Sequence, residues 1–349
     1  PLEAGPGYFA LGETSADLAG GRLSLRTLRR ENGRITSSGG FTGVPALPIL
    51  ALAGVAPQPG SDLKLRGAWA INATPRLNGT LSVARESGDL IVLPNSTTRV
   101  GLEELNLDLR FVDDTANAKL IVQGSQFGIG KIDVTAVPAE GDGPLSATAR
   151  LAGNVKLDLA NLHLLDNWIG TAALVDGVVR AQLGLAGTLA APVVTGTMEG
   201  DRIRFEVPQQ GIALKNGRLR AELTDQALVV QEFSISGPTG TLAANGTLAR
   251  RSDDGESQIE WRAIDLQLLD RPDQRLSVAG NGTIGMSKDR IVLRGALKAL
   301  KGTIEFVRPH TTPLGDDVVV IGRKPKSEKT RRRATPLDLD ATLDFGEHF

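Results

Sequence analysis

The chain has no cysteine, and it has only three histidines and few aromatic side chains. Without cysteine there can be no disulfide framework, no thiolate zinc site and no cysteine nucleophile. The histidines, His163, His310 and His348, lie far apart in the sequence, which argues against a histidine-based metal site. We therefore expect neither a metal nor a cofactor.

The chain also lacks an excess of either charge and any long apolar run. Its 39 basic and 40 acidic side chains give a net charge of -1. A nucleic-acid-binding protein needs a basic face to replace phosphate counterions, so this class is disfavoured. The longest apolar stretch, Val44–Pro57, is interrupted by prolines and is shorter than the ~20 residues of a membrane-spanning helix.

Catalytic motifs are missing as well. The sequence has no Walker A loop and no G-x-S-x-G nucleophile elbow. The three glycines of Gly124–Gly130 lie between two predicted strands and open no helix, so they do not form a dinucleotide fingerprint. Adjacent aspartates occur where turns are expected, and aspartate commonly forms turns. These pairs are Asp113 and Asp114, Asp253 and Asp254, and Asp316 and Asp317. We expect a protein that is not an enzyme.

The sequence instead contains many glycines and a repeated alternation of apolar and polar residues. Glycine accounts for 41 of the 349 residues. Leu105–Phe111 and Leu337–Phe345 alternate strictly, which predicts strands with one apolar and one polar face. Strands of a parallel sheet buried on both sides would have continuous apolar runs. The pattern therefore predicts an all-β protein.

Turn signals between these segments indicate antiparallel neighbours. We predict turns at Asn32-Gly33, Asn216-Gly217 and Asp225-Gln226. Asn245-Gly246 and Asn281-Gly282 stand inside alternating segments, so each is either a turn or a glycine within a strand.

Two short segments have helical periodicity, Leu47–Val55 and Leu159–Ile169. On the second, His163 and Asp166 lie three residues apart, a spacing more typical of a local hydrogen bond than of a site.

The chain repeats a long block that contains a Gly-Thr-apolar triplet and a later strand ending at proline. The triplets are Gly79-Thr80-Leu81 and Gly196-Thr197-Met198, with a degenerate form at Gly295-Ala296-Leu297. We predict one continuous domain over 1–349, a fragment of a longer protein, with approximate units 41–158, 159–258 and 259–349. Such repeats stack into one continuous surface.

Two short helices cannot cover the apolar face of so long a sheet. Soluble monomers tolerate exposed apolar patches of a few hundred Å². We therefore expect an elongated sheet that curls into an open U-shaped groove with an apolar interior. The groove residues are expected to be Leu63, Leu65, Trp69, Ile71, Leu105, Leu107, Leu109, Phe111, Ile203, Phe205, Val207, Leu219, Leu223, Phe233, Ile235, Ile304, Phe306, Leu337, Leu339, Leu343 and Phe345.

The order of these elements resembles a known family. Val179–Thr197, Ile203–Pro208, Gly217–Leu223, Ile235–Leu248 and Leu337–Phe349 resemble the C-terminal conserved region of the TamB family, within the AsmA-like group of bridge-like lipid transfer proteins. The resemblance runs from about Leu47 to Phe349. Each piece is short and common among β proteins, but the ordered combination is specific.

The resemblance implies a fold known as a β-taco and a role in the periplasm of a Gram-negative bacterium. It implies a parent protein anchored in the inner membrane by an N-terminal helix absent here. It also implies binding of phospholipid acyl chains and a TamA-like outer-membrane barrel partner. The function would be to move phospholipid to the outer membrane, to assist assembly of outer-membrane proteins, or both. The family's conserved region continues past the final Gly-acid turn, so the part that meets the barrel is expected beyond Phe349.

Two alternatives stay open at this point. The first is a surface-exposed β-helix adhesin that binds carbohydrate, although such a fold repeats every ~20–25 residues without hairpins. The second concerns the basic run 323–333, which is either a solvated loop or a contact for anionic headgroups through Arg331, Arg332 and Arg333.

Overall fold

A computed structural model describes residues 2–18, 20–52, 60–91, 98–163, 173–250, 257–287, 290–304 and 337–345. These residues form twenty strands, one short α-helix and a 3-10 turn at Pro208–Gln210. The strands belong to one long open sheet that does not close into a barrel. The all-β expectation is confirmed.

The strands have the following bounds: β1 Leu2–Gly5, β2 Tyr8–Leu11, β3 Thr14–Leu18, β4 Gly21–Glu31, β5 Arg34–Pro45, β6 Lys64–Ala73, β7 Leu77–Ser87, β8 Leu102–Val112, β9 Thr115–Gly124, β10 Gly128–Val137, β11 Arg150–Leu159, β12 Leu174–Gly187, β13 Pro192–Val207, β14 Ile212–Leu223, β15 Ala227–Ser236, β16 Thr241–Ala249, β17 Ser257–Asp270, β18 Gln274–Ser287, β19 Arg290–Ile304 and β20 Leu337–Asp344. Helix α1 spans Ala46–Leu52.

The sheet is an antiparallel meander from β4 to β19, in which each strand pairs with the strands before and after it. At one edge β2 and β3 both pair with β4, and β1 pairs with β2. At the other edge β20 pairs in parallel with β19. The antiparallel expectation is confirmed, and the adhesin alternative is wrong because these hairpins are incompatible with a parallel β-helix.

The turn predictions have mixed outcomes. Asn32 and Gly33 join β4 to β5 with φ angles of 47° and 81°, as a type I′ hairpin requires. Asp225-Gln226 lies between β14 and β15, as predicted. The turn predicted at Asn216-Gly217 is wrong, because both residues lie inside β14 at an irregularity in its pairing with β15. Asn245-Gly246 and Asn281-Gly282 lie inside β16 and β18, so of the two alternatives each is a glycine within a strand.

The helix predictions also differ in outcome. Helix α1 overlaps the predicted Leu47–Val55, although residues 53–59 lie outside the described part. The second helix is wrong at its start, because Leu159 belongs to β11 and pairs with both Gly128 and Val179. Its remainder from residue 164 lies outside the described residues.

The two faces of the sheet differ in polarity, as alternation dictates. We call inner the face that carries Trp69, Leu81 and Leu109, which are directly opposite one another on β6, β7 and β8. The outer face carries Asp108 and Lys119, which are paired on β8 and β9. Paired residues lie on the same face, so the register extends this division across the sheet.

Fully buried apolar side chains form three clusters near the strand ends. We call the edge of the sheet at which β6 and β8 begin and β13 ends the first rim, and two of the three clusters lie there. Cluster 1 contains Ala46, Leu63, Leu65, Val100 and Leu102, and cluster 2 contains Leu214, Ile235, Ala263, Leu266 and Val278. The second rim, where β6 and β8 end, has cluster 3, which contains Phe111, Ala116, Ala136 and Ala149.

Glycines inside three strands have a backbone conformation that other residues rarely adopt. Gly79, Gly196 and Gly246 have φ angles of 145°, 146° and 149°, which side-chain-bearing residues rarely adopt. A Cβ added at Gly196 would overlap the carbonyl oxygen of Gln182 on β12. Glycine is therefore required where the neighbouring backbone comes this close.

Candidate functional site

An apolar stripe runs along the inner face between the two rims. Val83, Leu107, Leu120, Ile132, Val155 and Leu183 are directly opposite one another on β7 to β12 and form one continuous row, the Leu107 row. All six side chains are half-buried. With strands ~4.8 Å apart, the row is about 24 Å long. It is thus longer than one lipid acyl chain, which spans about 15 Å, half of a bilayer core.

Ten of the residues expected in the groove are half-buried: Trp69, Ile71, Leu105, Leu107, Leu109, Ile203, Phe205, Leu219, Leu223 and Phe233. They lie on β6, β8, β13, β14 and β15. Leu105, Leu109, Ile203, Phe205 and Phe233 pack in part against the three clusters, whereas the other five are in none of them.

Five other expected residues are buried and offer little surface. Leu63 and Leu65 pack in cluster 1, Phe111 in cluster 3 and Ile235 in cluster 2, and Val207 is 7% exposed. These side chains hold the rims together, so we assign them a packing role.

The remaining expected residues lie at the C-terminal end. Phe345 is 48% exposed. Ile304, Leu337, Leu339 and Leu343 belong to β19 and β20, and their side chains are not described. Phe306 and the arginines Arg331, Arg332 and Arg333 lie outside the described residues.

Two tryptophans lie flat on the inner face over glycines, a feature that sequence reasoning missed. The ring of Trp69 occupies the space that a Cβ of Gly39 would need, and its Nε1 donates a hydrogen bond to Ser37 Oγ at 2.9 Å. The ring of Trp261 covers Gly282 and Gly295 on the next two strands. The sequence signal would have been a glycine directly opposite an aromatic residue. On β6 and β17, outside the Leu107 row, the indole rings cover backbone that these glycines leave without a side chain.

The outer face carries rows of alternating charge. Arg180, Glu199, Arg220 and Glu232 are opposite one another on β12 to β15. On β9 and β10, Lys119 Nζ lies 3.6 Å from an oxygen of Asp133. Because these side chains are exposed, each pair contributes little stability. The rows give the outer face a charge pattern that excludes apolar ligands.

Part of the apolar face is sealed where β14 and β17 converge beyond the short β15–β16 hairpin. The amide of Asp270 donates to the carbonyl oxygen of Gly211 at 3.0 Å, and Arg271 Nη1 donates to that of Gln209 at 2.6 Å. Cluster 2 lies beneath these bonds. Sequence reasoning missed this closure because it depends on bulges, such as the one between Ala263 and Leu266.

A network of carboxylates ties the first rim together at the start of β6 and β8. Asp89 accepts hydrogen bonds from the amides of Gly101 and Leu102, both at 3.0 Å. Arg99 Nη1 donates to Asp62 Oδ1 at 2.7 Å, and the amide of Asp89 donates to the same oxygen at 2.9 Å. The Arg99 guanidinium, followed by the Asp89 amide, lowers the pKa of Asp62, and Asp62 raises that of Arg99.

This network predicts a specific pH dependence. A carboxyl whose pKa is lower in the folded state than in the unfolded state stabilises the fold above its unfolded value of ~3.9. That contribution is lost as the pH falls through the folded-state value. We expect Asp62→Asn to have a lower free energy of unfolding than the parent at neutral pH. We expect this difference to disappear as the pH falls below about 4. Urea unfolding across pH measures this.

Asp225→Asn is the control, because Asp225 is exposed in the β14–β15 turn. If the free energies of unfolding of the parent and of Asp62→Asn differed by the same amount at every pH, the ionised form of Asp62 would not be what stabilises the rim.

Other polar groups considered from the sequence have structural roles. Asp113 and Asp114 form the β8–β9 turn with φ angles of 48° and 68°, and Asp114 Oδ1 accepts from the Leu77 amide. His163 Nε2 lies 4.0 Å from Asp176, whereas Asp166 is outside the described residues. Within the described ranges, no three His, Asp or Glu side chains converge as a metal site would need. No helix described here has the length and hydropathy to cross a membrane.

Comparison with protein families gives two matches. Residues 59–199 match the model for TamB, N-terminal domain, and residues 231–347 match the model for TamB C-terminal domain. The resemblance of the whole stretch from about Leu47 onward to the C-terminal region is therefore wrong in its extent, because residues 59–199 match the N-terminal domain. No curated protein and no solved structure matches the chain.

Proposed function

The chain belongs to the TamB family, which acts in transport and assembly in the periplasm and is not known for enzymatic activity; on this premise we propose that the inner face conducts phospholipid acyl chains. The family is associated with a TamA partner. We further propose movement of phospholipid from the inner to the outer membrane, and assistance to outer-membrane protein assembly with a TamA-like barrel.

The observation that supports this proposal is the continuous, half-buried Leu107 row. Acyl chains bind through contact area and need no fixed motif. Each 100 Å² of apolar surface removed from water stabilises the complex by roughly 2.5 kcal/mol. A row that extends over six strands lets a chain slide without meeting a polar side chain, because each position resembles the next.

A photo-crosslinking experiment tests the proposal. A photoreactive amino acid is placed at Leu107 or Leu183 in the Leu107 row, and at Asp108 or Gln182, the adjacent positions on the outer face. After irradiation with phospholipid vesicles, we expect lipid adducts at the two inner positions only, detected by mass spectrometry of the intact protein. Equal labelling of both faces would refute a lipid path along the inner face.

The same experiment in the presence of an unfolded outer-membrane protein separates the two proposed roles. Its strands also alternate apolar and polar residues, so they would compete for the inner face. Loss of lipid adducts with gain of protein adducts would support the assembly role.

A further inference from the structure

We propose that Arg85 binds the anionic headgroup of a single amphiphile whose chain lies along the inner face. This inference rests on the function proposed above and adds the chemical class of the ligand and its direction. The recognised group is a phosphate or carboxylate attached to a long alkyl chain.

The register places Arg85 on the apolar face. Strands β6 and β7 pair Leu65 with Arg85 and Lys64 with Ser87, so Glu86 is the extra residue of a bulge. Leu65 is 4% exposed in cluster 1. Because directly paired residues share a face, Arg85 lies beside Leu65 on the inner side at the first rim.

The guanidinium of Arg85 has more N–H donors than the one that bonds within the described chain. It is half-buried, and its Nε donates to the carbonyl oxygen of Gly88 at 3.0 Å. Among the described residues, no carboxylate forms an ion pair with it. Arginine carries five N–H donors in a planar fork that suits phosphate and carboxylate oxygens. Partly buried donors next to apolar side chains favour an anionic ligand.

Arg85 stands at the head of an apolar row. The last recorded pair between β7 and β8 is Ala84 with Asn106, and the next residues along the two strands are Arg85 and Leu105. From Leu105 the register continues directly across β9 to β12 through Val122, Gly130, Leu157 and Ala181. This Leu105 row is about 19 Å long, enough for one acyl chain of about 15 Å.

The arrangement gives the bound amphiphile a direction. No described inner-face position of β10, β11 or β12 carries a charged side chain. The headgroup would therefore bind at β7 and the chain would point toward the C-terminal strands.

The test compares two ligands that differ only in the headgroup. Octadecyl phosphate and octadecanol are each given a photoreactive diazirine at the end of the alkyl chain. A chain that runs from Arg85 along the Leu105 row should label β11 and β12. The yield of labelled peptides as a function of ligand concentration, measured by mass spectrometry, gives the binding affinity. In Arg85→Gln we expect binding of the phosphate to weaken by about 10- to 100-fold, since a charge-assisted contact is lost. Binding of the alcohol should stay within about twofold, which also shows that the variant is folded.

Arg66→Gln is the matched control. Arg66 is exposed on the outer face of β6, opposite Ala84, so its removal should change neither ligand. Equal weakening of phosphate and alcohol in Arg85→Gln would assign Arg85 a purely structural role and overturn the inference. Failure of both ligands to label the inner face of the parent protein would instead refute the proposed function.

Inorganic phosphate separates a lipid headgroup from a free anion. It has the charge without the chain, so we expect it not to displace octadecyl phosphate from the parent protein. Displacement that disappears in Arg85→Gln would identify a site for free phosphate and overturn the amphiphile assignment.

Discussion

Replacing Gly196 with alanine is expected to destabilise the protein by about 2–4 kcal/mol, because a strained backbone and a backbone collision act together. The φ angle of 146° disfavours any Cβ, and the added atom would overlap the carbonyl oxygen of Gln182 and approach Leu183 Cα at 2.8 Å. Both obstacles are backbone atoms of β12, so they can yield only if the pairing of β12 and β13 is distorted. The free energy of unfolding in urea measures the loss.

Gly184→Ala provides the comparison on the facing strand. A Cβ there would have its nearest neighbours on Thr195 at 3.8 Å, an ordinary contact. We expect a change within about 0.5 kcal/mol. Similar losses at both positions would mean that Gly196 serves only as a small residue and that its conformation is not required.

The second large effect is expected at Leu63, which is 1% exposed and packs in cluster 1. Leu63→Ala leaves a cavity that helix α1 and Leu102 cannot fill without moving, so we expect a loss of about 2–5 kcal/mol. Denaturant unfolding followed by circular dichroism gives the value.

Leu107→Ala is the counterpart on the open stripe. Leu107 is half-buried, so removing its side chain costs less transfer free energy and leaves no closed cavity. We expect about 1 kcal/mol. If Leu107→Ala destabilised the protein as much as Leu63→Ala, the inner face would be a closed core and the proposed path would fail.

The sequence predicted the strands and their faces because alternation survives wherever the pairing is regular. Leu105, Leu107 and Leu109 were placed together for this reason, and the register puts them on one face. Bulges interrupt this rule, since one extra residue changes which side chains face inward. At Asn216-Gly217 a dipeptide that favours hairpins in isolation forms an irregularity inside β14, because the chain on both sides stays paired.

The candidate site was predictable in part. Alternation along β7 places Leu81, Val83 and Arg85 on the same face. A search for apolar residues on that face does not find Arg85, because its side chain is charged. The burial of Ile235 could not be predicted, because cluster 2 joins side chains of β14 and β17, which are not neighbours in the sheet. Only the convergence of β14 and β17 brings those strands together.

The meander has a consequence for how the chain is made. From β5 to β19 every described strand has only the preceding and the following strand as its sheet neighbours, so each hairpin can dock as soon as it emerges from a secretion channel. During synthesis the unpaired edge of the sheet is always the most recently formed strand, and the next segment of the chain is the one that pairs with it. A protein built this way can lengthen during export without a finished core, and each added hairpin extends the structure by the same local step.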